Sequence, residues 1–224
     1  GGAHHQIHRL VRCTTGTVEL EYLFQPCFDY ARANTRVSLR RHGVVAKSRK
    51  EVITLSADVP LATGNKMAQG CFSLKQGEAA TFVLAYGRQR VCQVKKFRST
   101  QALSLTRSHW EEVAKHIEHN GYWKDRVTRS FLLLHLLMYS PTGAIVAAPT
   151  TSLPEKIGGQ RNWDYRDGWL RDSAFTMDIL YRLGDHHEGQ SFFRWLLYQC
   201  QVTNGDMRIV YGIDQCSDLR ERTL

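Results

Sequence analysis

The 224-residue chain lacks the sequence features of a membrane or exported protein. Its longest apolar run, residues 131–138, is interrupted by His135 and is far shorter than the roughly 20 residues that span a bilayer. Residues 1–12 are basic and contain no apolar stretch of the kind found in secretory signal peptides. We therefore expect no membrane partner. The missing signal peptide carries little weight, because we also expect the chain to be a piece of a longer protein.

Closely spaced cysteine pairs are also absent. No Cys-x-x-Cys occurs, so neither a zinc ribbon nor a thioredoxin-type redox pair is indicated. An even number of cysteines leaves disulfides open, but their wide spacing favours the scattered thiols of a cytosolic protein, and we expect a cytoplasmic location. The six are Cys13, Cys27, Cys71, Cys92, Cys200 and Cys216.

Clusters with the spacing of metal ligands are missing as well. The pairs His4-His5 and His186-His187 have no Asp, Glu or Cys at such spacing. We expect neither a metal site nor any other cofactor.

Acidic residues are scarce in the first half of the chain. Residues 1–104 hold 16 Lys and Arg against 6 Asp and Glu, whereas residues 105–224 hold 14 against 15. A basic half can indicate a nucleic-acid partner or simply a solvated face. No nucleic-acid motif accompanies the charge, so we favour the solvated face and expect no nucleic-acid partner. A nucleic-acid-binding β domain stays as a minor alternative, which salt-dependent binding would support.

The residues that are present predict a β region followed by a helical region. The chain is 42% hydrophobic and 23% charged, enough for a buried core. Val18, Leu20, Tyr22 and Phe24 alternate with mostly polar residues, as in a half-buried strand. Further short runs at residues 37–39, 52–55, 71–74 and 80–86 are separated by turn signals that contain glycine. Residues 1–96 therefore predict an antiparallel sheet or β-sandwich.

Helical spacing replaces this pattern after residue 97. It predicts helices over residues 101–117, 123–139 and 172–184, and a fourth that begins at Asp185, with Glu188 completing a near capping box. Residues 144–159 are predicted to be a loop. We assign residues 97–120 to a linker helix and 121–224 to a helical domain. Its helices are apolar on most faces and cannot cover one another, which predicts a truncated domain.

The segment from Asn162 to Asp172 carries the strongest chemical signal. It combines two Trp, a Tyr, Arg side chains and Asp side chains directly before a helix. Flat aromatic faces beside Arg and carboxylates suit a sugar, which has apolar ring faces and a rim of hydroxyls. The alternative interpretation is a Trp-rich helix entrance with ordinary surface ion pairs.

These motifs closely resemble glycoside hydrolase family 15, which includes glucoamylases and bacterial glucoamylase-like trehalases and α-glucosidases. The resemblance rests on Asn162-Trp163-Asp164-Tyr165-Arg166 and Trp169-Leu170-Arg171-Asp172, in order with several flanking segments. The flanking segments are residues 147–155, 158–159, 183–184, 193–196, 209–214 and 219–222. Residues 9–30 also look like strands of the family's β-sandwich, whose opening strands we expect to precede Gly1.

The resemblance implies an N-terminal antiparallel β-sandwich followed by the first helices of an (α/α)6 barrel. It implies an inverting, exo-acting hydrolase that releases glucose from trehalose, maltose or starch-type oligosaccharides. Such enzymes use one Glu as acid and another as base, and we expect both beyond Leu224. The chain alone would then contain no catalytic residue and be inactive. The alternative is a non-catalytic carbohydrate-binding or regulatory protein on the same fold, similar to the phosphorylase kinase regulatory subunits.

The family's sugar-binding residues carry over to six positions. Arg171 and Asp172 would hold the hydroxyls of the terminal glucose, and Trp169 would form part of the pocket wall. Tyr165 and Trp163 are further candidates, for which core packing is the alternative. Tyr211 is a further sugar-binding candidate. For Arg171-Asp172 the alternative is an ion pair that favours the helix dipole.

Three other features bear on this assignment. Asp164 and Arg166 are predicted to hold the loop by ion pairing. Asp167-Gly168 departs from the family's commoner aromatic-then-small pair, which leaves the preferred substrate open. Asp214, Asp218 and Glu221 could be mistaken for paired catalytic acids.

Overall fold

A computed structural model describes residues 5–49, 51–87, 90–216, 219 and 221 of the chain. The chain divides into two compact units, Gly1–Arg107 and Ser108–Leu224. Within the described residues, eight strands form the first unit. They are β1 Gln6–Arg12, β2 Thr17–Phe24, β3 Arg36–Arg40, β4 Gly43–Ser48, β5 Glu51–Ala57, β6 Ala62–Gly64, β7 Met67–Lys75 and β8 Ala79–Tyr86.

The strands of the first unit form two antiparallel sheets with a shared core. One sheet has the order β1-β8-β5-β4-β3 and the other β2-β7-β6. The alternation predicted for β2 is confirmed, with Val18 opposite Leu74 and Leu20 opposite Phe72 in the register with β7. These side chains pack with Ala80 of the other sheet, so the apolar positions of both sheets meet. An antiparallel β region at this end of the chain is thus confirmed.

Strand β4 was not among the predicted strands, because its burial hides the period that sequence reasoning uses. Val44, Val45 and Ala46 are all at most 1% exposed, so both faces of the strand are covered and nothing alternates. Gly43, one of the glycines in the predicted turn signals, instead begins the strand. A Cβ there would lie 2.0 Å from the carbonyl oxygen of Leu55, so only glycine allows the two backbones to approach.

Helices dominate the second half of the chain. A short 3-10 turn, Val94–Phe97, precedes helix α1. The helices are α1 Ser99–Lys115, α2 Lys124–Leu136, α3 Leu170–Arg182 and α4 His187–Val202. Short strands lie between and after them: β9 Met138–Tyr139, β10 Ala144–Ile145, β11 Gly168–Trp169 and β12 Val210–Tyr211. All four predicted helices are confirmed, with ends displaced by a few residues.

Two predicted boundaries in this region are wrong for one reason. Helix α2 ends at Leu136 rather than Tyr139, and residues 144–145 are a strand rather than loop. Tyr139 pairs with Ala144 and Met138 with Ile145 in a two-stranded ladder. Ala144 and Ile145 are fully buried, so packing in the core overrides the local helical pattern.

Two apolar clusters form the core of the second unit. One contains Ile145, Phe192, Trp195 and Tyr211, and the other contains Val113, Phe131 and Leu180. Other large apolar side chains of α3 and α4 remain exposed, among them Phe175, Tyr181 and Phe193. In the described part of the chain, no helix is both long enough and apolar enough to cross a membrane.

Candidate functional site

Trp163 and Tyr165 lie on one arm of an extended hairpin in the second unit. Residues 147–155 run antiparallel to residues 161–167, with Thr151 bridged to Asp164. Four further backbone hydrogen bonds join the arms. They are Ala147 N to Asp167 O at 3.2 Å, Ala148 N to Tyr165 O at 2.8 Å, Ser152 N to Trp163 O at 2.7 Å and Glu155 N to Arg161 O at 3.2 Å. The hairpin therefore holds the motif at fixed register.

Three of the predicted site residues form an aromatic cluster. The rings of Trp163 and Tyr165 meet the ring of Trp169 edge-to-face, with centroids 6.0 and 5.7 Å away. The indole N–H of Trp169 donates to the carbonyl oxygen of Asp164 at 2.9 Å. The indole N–H of Trp163 donates to a carboxylate oxygen of Glu155 at 2.8 Å. Both tryptophan rings are half-buried and fixed in orientation, as a rigid sugar platform requires.

Asp164 and Arg166 stabilise the turn inside this cluster. The guanidinium donates to both carboxylate oxygens, from Nε at 2.9 Å and from Nη2 at 2.7 Å. The backbone N–H of Arg166 also donates to Asp164, at 3.0 Å. The predicted structural role of this pair is confirmed.

Helix α3 begins directly after the aromatic cluster. Gly168 pairs with Tyr211 and Trp169 with Val210, and the N–H of Leu170 then donates to the carbonyl of Ile209 at 3.1 Å. This ladder fixes the backbone up to the first residue of the helix.

Arg171 and Asp172 lie in the first turn of α3. One Arg171 Nη2–Asp172 Oδ2 contact of 3.3 Å joins them, and the side chains are 68% and 32% exposed. The described residues give the second carboxylate oxygen no other partner, so it can accept hydrogen bonds from a ligand.

Tyr211 has the surroundings of a core residue. It is fully buried and its ring meets that of Trp195 at 6.0 Å. Its hydroxyl accepts from the N–H of Arg208 at 2.8 Å and lies 3.4 Å from the carbonyl of Asp206. Core packing accounts for these contacts, and sugar binding by Tyr211 stays a prediction.

Asp167 is a half-buried carboxyl group beside two other acids. Burial raises its pKa to about 6, and the nearby carboxylates of Asp164 and Asp214 act in the same direction, while Arg166 opposes them. The sequence marked this position only as a departure from the family pattern. A titrating group beside the aromatic cluster could not be recognised without the fold.

Of the remaining acidic candidates, Asp214 has a local hydrogen bond in the described part of the chain. Asp214 Oδ1 accepts the N–H of Cys216 at 3.1 Å in a local turn, and Asp218 lies outside the described residues. Among the residues that the structure describes, no three His, Cys, Asp or Glu side chains come together in a way that could hold a metal ion. His4 also lies outside the described residues.

Comparison with known proteins identifies the family. The sequence model for glycosyl hydrolases family 15 matches residues 95–223, more than half of the chain. The chain belongs to glycoside hydrolase family 15. The matched region contains all six residues that were predicted to bind sugar.

Trehalases are among the proteins similar to this family 15 chain. The trehalase of Thermoplasma volcanium is 32% identical over 98% of this chain and 35% of its own length. The trehalase of Thermoplasma acidophilum is 32% identical over 98% and 38%, and that of Mycolicibacterium smegmatis 32% over 99% and 35%. The chain thus spans about a third of the length of these relatives.

Two surface clefts in the described part of the family 15 chain lie outside residues 163–172. Two clefts, of about 650 and 540 Å3, are both lined by residues of the first unit. Neither contains any of the six residues that were predicted to bind sugar. We place the candidate site at the motif, because aromatic rings, a cation and an available carboxylate occur together there, whereas cleft volume alone specifies no chemistry.

Proposed function

We propose that this chain supplies the glucose-holding part of an α-glucoside hydrolase, with trehalose as the first substrate to test. The substrate is suggested by the trehalases that the chain resembles. The observation that carries the proposal is the direct succession of Trp169, in its ring cluster, and the Arg171-Asp172 pair in the first helical turn. The strand pair β11–β12 fixes the backbone at the start of this succession.

A glucose unit would meet two kinds of group here. The ring of Trp169 offers an apolar face to the axial C–H groups of the sugar. Asp172 accepts hydrogen bonds from neighbouring hydroxyls, and Arg171 donates to ring or hydroxyl oxygens. The single 3.3 Å contact between the two side chains leaves each of them with capacity for the ligand.

The rest of the proposed enzyme follows from the family. In this proposal residues 1–96 belong to a β-sandwich, 97–120 to a linker helix, and 121–224 to the start of an (α/α)6 barrel. The exposed apolar side chains of α3 and α4 support it, because further barrel helices would bury them. The acid and base glutamates of the inverting reaction would come from parts of the longer relatives that this chain does not cover.

Sugar binding by the chain tests the proposal. We expect trehalose to shift the indole N–H resonance of Trp169 in a 15N-labelled sample, and lactose to shift it less. Asp172→Asn should weaken trehalose binding by about tenfold, since a hydrogen bond to a charged group contributes about 1.5–3 kcal/mol. Asp178→Asn is the matched control, because Asp178 lies on the same helix in an exposed ion pair with Arg182.

Two results would contradict the proposal. One is a chain that binds neither trehalose nor maltose, and the other is an Asp172→Asn variant with unchanged affinity. Glucose release provides a separate check on catalysis: we expect none from the chain alone. Release of glucose would require testing Asp214, Asp218 and Glu221 as the missing acids.

A further inference from the structure

We propose that Trp195 is a positioning residue for the glucose-holding motif and acts through direct contact with Gly168. The inference rests on the proposed function, because what Trp195 positions is the segment Trp169-Leu170-Arg171-Asp172. Trp195 itself lies in α4 and is 1% exposed, so it has no access to a ligand.

The contact between Trp195 and Gly168 leaves no room for a side chain. A Cβ on Gly168 would lie 2.9 Å from Cη2 of Trp195 and 3.3 Å from Cζ2. Gly168 does not have a positive φ, so its backbone conformation is open to any residue. Space, rather than conformation, therefore requires glycine here. The indole defines how closely strand β11 approaches helix α4.

This contact is transmitted to the sugar-holding residues without a flexible linker. Gly168 pairs with Tyr211, whose ring also meets the Trp195 ring at 6.0 Å and 84°. Trp169 follows in the same strand, and α3 begins at the next residue. A displacement of Gly168 must therefore move Trp169 and the first turn of α3, or break the β11–β12 ladder.

The chemistry of the indole supports a role in shape. Its N–H donates to no residue in the described part of the chain, although the side chain is buried. A hydrogen bond therefore does not explain why tryptophan occupies this position. The six-membered ring edge, Cη2 and Cζ2, makes the contact with Gly168, and phenylalanine would not reach as far.

A compensating pair of substitutions tests this inference. Gly168→Ala introduces the clash, and Trp195→Phe in the same chain removes the ring edge that causes it. The readout is the Trp169 indole N–H, which donates to the Asp164 carbonyl at 2.9 Å and reports the local geometry. Trehalose affinity is measured on the same samples. Gly64→Ala is the control, because a Cβ at Gly64 would meet nothing within 4 Å.

We expect Gly168→Ala to move the Trp169 resonance and to weaken trehalose binding by about tenfold, a loss of about 1.4 kcal/mol. Adding Trp195→Phe should return the resonance towards its original position and recover most of the affinity. Where Gly168→Ala alone does not fold, a folded spectrum of the double variant is the rescue. Gly64→Ala should leave both readouts unchanged.

Three results would overturn the inference. The first is a Gly168→Ala variant whose Trp169 resonance does not move. The second is a double variant no better than Gly168→Ala. The third, which applies if neither the single Gly168→Ala variant nor the double variant folds, is a Trp195→Phe single variant with unchanged Trp169 resonance and affinity. A wild-type chain that binds no sugar would defeat the proposed function, while the resonance and its rescue would still decide the role of Trp195.

Discussion

The adjacent residues Asp167 and Gly168 have different neighbours, which affect the pKa of the first and the space at the second. The Trp195 ring leaves no room for a side chain at Gly168, because a Cβ there would lie 2.9 Å from its Cη2 atom. The pKa of Asp167 is raised by its burial and by the carboxylates of Asp164 and Asp214, which disfavour its ionised form. The dipeptide was recognisable in the sequence as unusual for the family. Trp195 and Asp214 are distant from it along the chain, and only the fold brings these causes together.

The raised pKa of Asp167 makes a prediction about stability and pH. Its pKa is about 6 in the folded protein, against an ordinary value of 3.8. Below the ordinary value the group is protonated in both states and costs nothing. As the pH rises from this ordinary value to about 6, the carboxyl group ionises in the unfolded state but stays protonated in the folded state. The folded state therefore loses stability over this range. Asp167→Asn should therefore raise the unfolding temperature at about pH 7 and change it little at about pH 4.

Thermal unfolding followed by tryptophan fluorescence checks this expectation. All five tryptophans belong to the second unit, so the signal reports the unit that contains Asp167. Asp178→Asn controls for the loss of one negative charge at an exposed position. An equal effect of Asp167→Asn at both pH values would contradict the assigned pKa.

At the scale of elements, helices and strands could be predicted where the sequence shows a hydrophobic period or a helix-breaking residue. Strand β2 alternates cleanly, and α3 and α4 are separated by Gly184, which has a φ of +94°. The prediction was wrong where burial on both faces or a short two-stranded ladder determines the structure, as in β4 and in residues 144–145. The family motif located the candidate site, but the hairpin hydrogen bonds and the Trp195 contact join residues that no local pattern connects.

Asp185 illustrates a side chain whose partner lies on another element. The sequence suggested a helix cap, yet α4 begins at His187 and the cap contact to the N–H of Glu188 is long, at 3.5 Å. The shorter contact is to His135 of α2, where Nε2 and Oδ2 are 2.6 Å apart. The side chains are 14% and 6% exposed, so the hydrogen bond ties α2 to the α3–α4 connection inside the protein.

Removing Asp185 should therefore cost more than removing a surface acid. We expect Asp185→Ala to lower the free energy of unfolding of the second unit by about 1–3 kcal/mol, because His135 would lose a buried partner. Asp178→Ala should cost less than about 1 kcal/mol, as is usual for exposed ion pairs. Urea unfolding followed by tryptophan fluorescence compares the two. Equal losses would show that the His135–Asp185 hydrogen bond contributes no more to stability than the exposed Asp178–Arg182 ion pair.

At the scale of the whole molecule, charge and apolar surface are distributed differently. The excess of Lys and Arg over Asp and Glu lies in residues 1–104, in the β region. The exposed apolar side chains include several on α3 and α4, with Phe175 70% and Phe193 58% exposed. Exposed aromatic and aliphatic side chains on neighbouring helices favour association in water, whereas an excess of like charge opposes it.

The chain alone should consequently self-associate through its helical unit, and more strongly at high salt, where repulsion between the basic regions is screened. Replacing both Phe175 and Phe193 by Gln should weaken the association constant by about tenfold or more, measured by sedimentation velocity over a range of concentrations. Ile157→Gln is the matched control, since Ile157 is fully exposed but lies in a loop, outside the helices. If Ile157→Gln weakened association as much as the double replacement, the helix faces would not be the contact. If association fell with added salt, electrostatic attraction rather than apolar contact would hold the chains together, and the role assigned to α3 and α4 would be wrong.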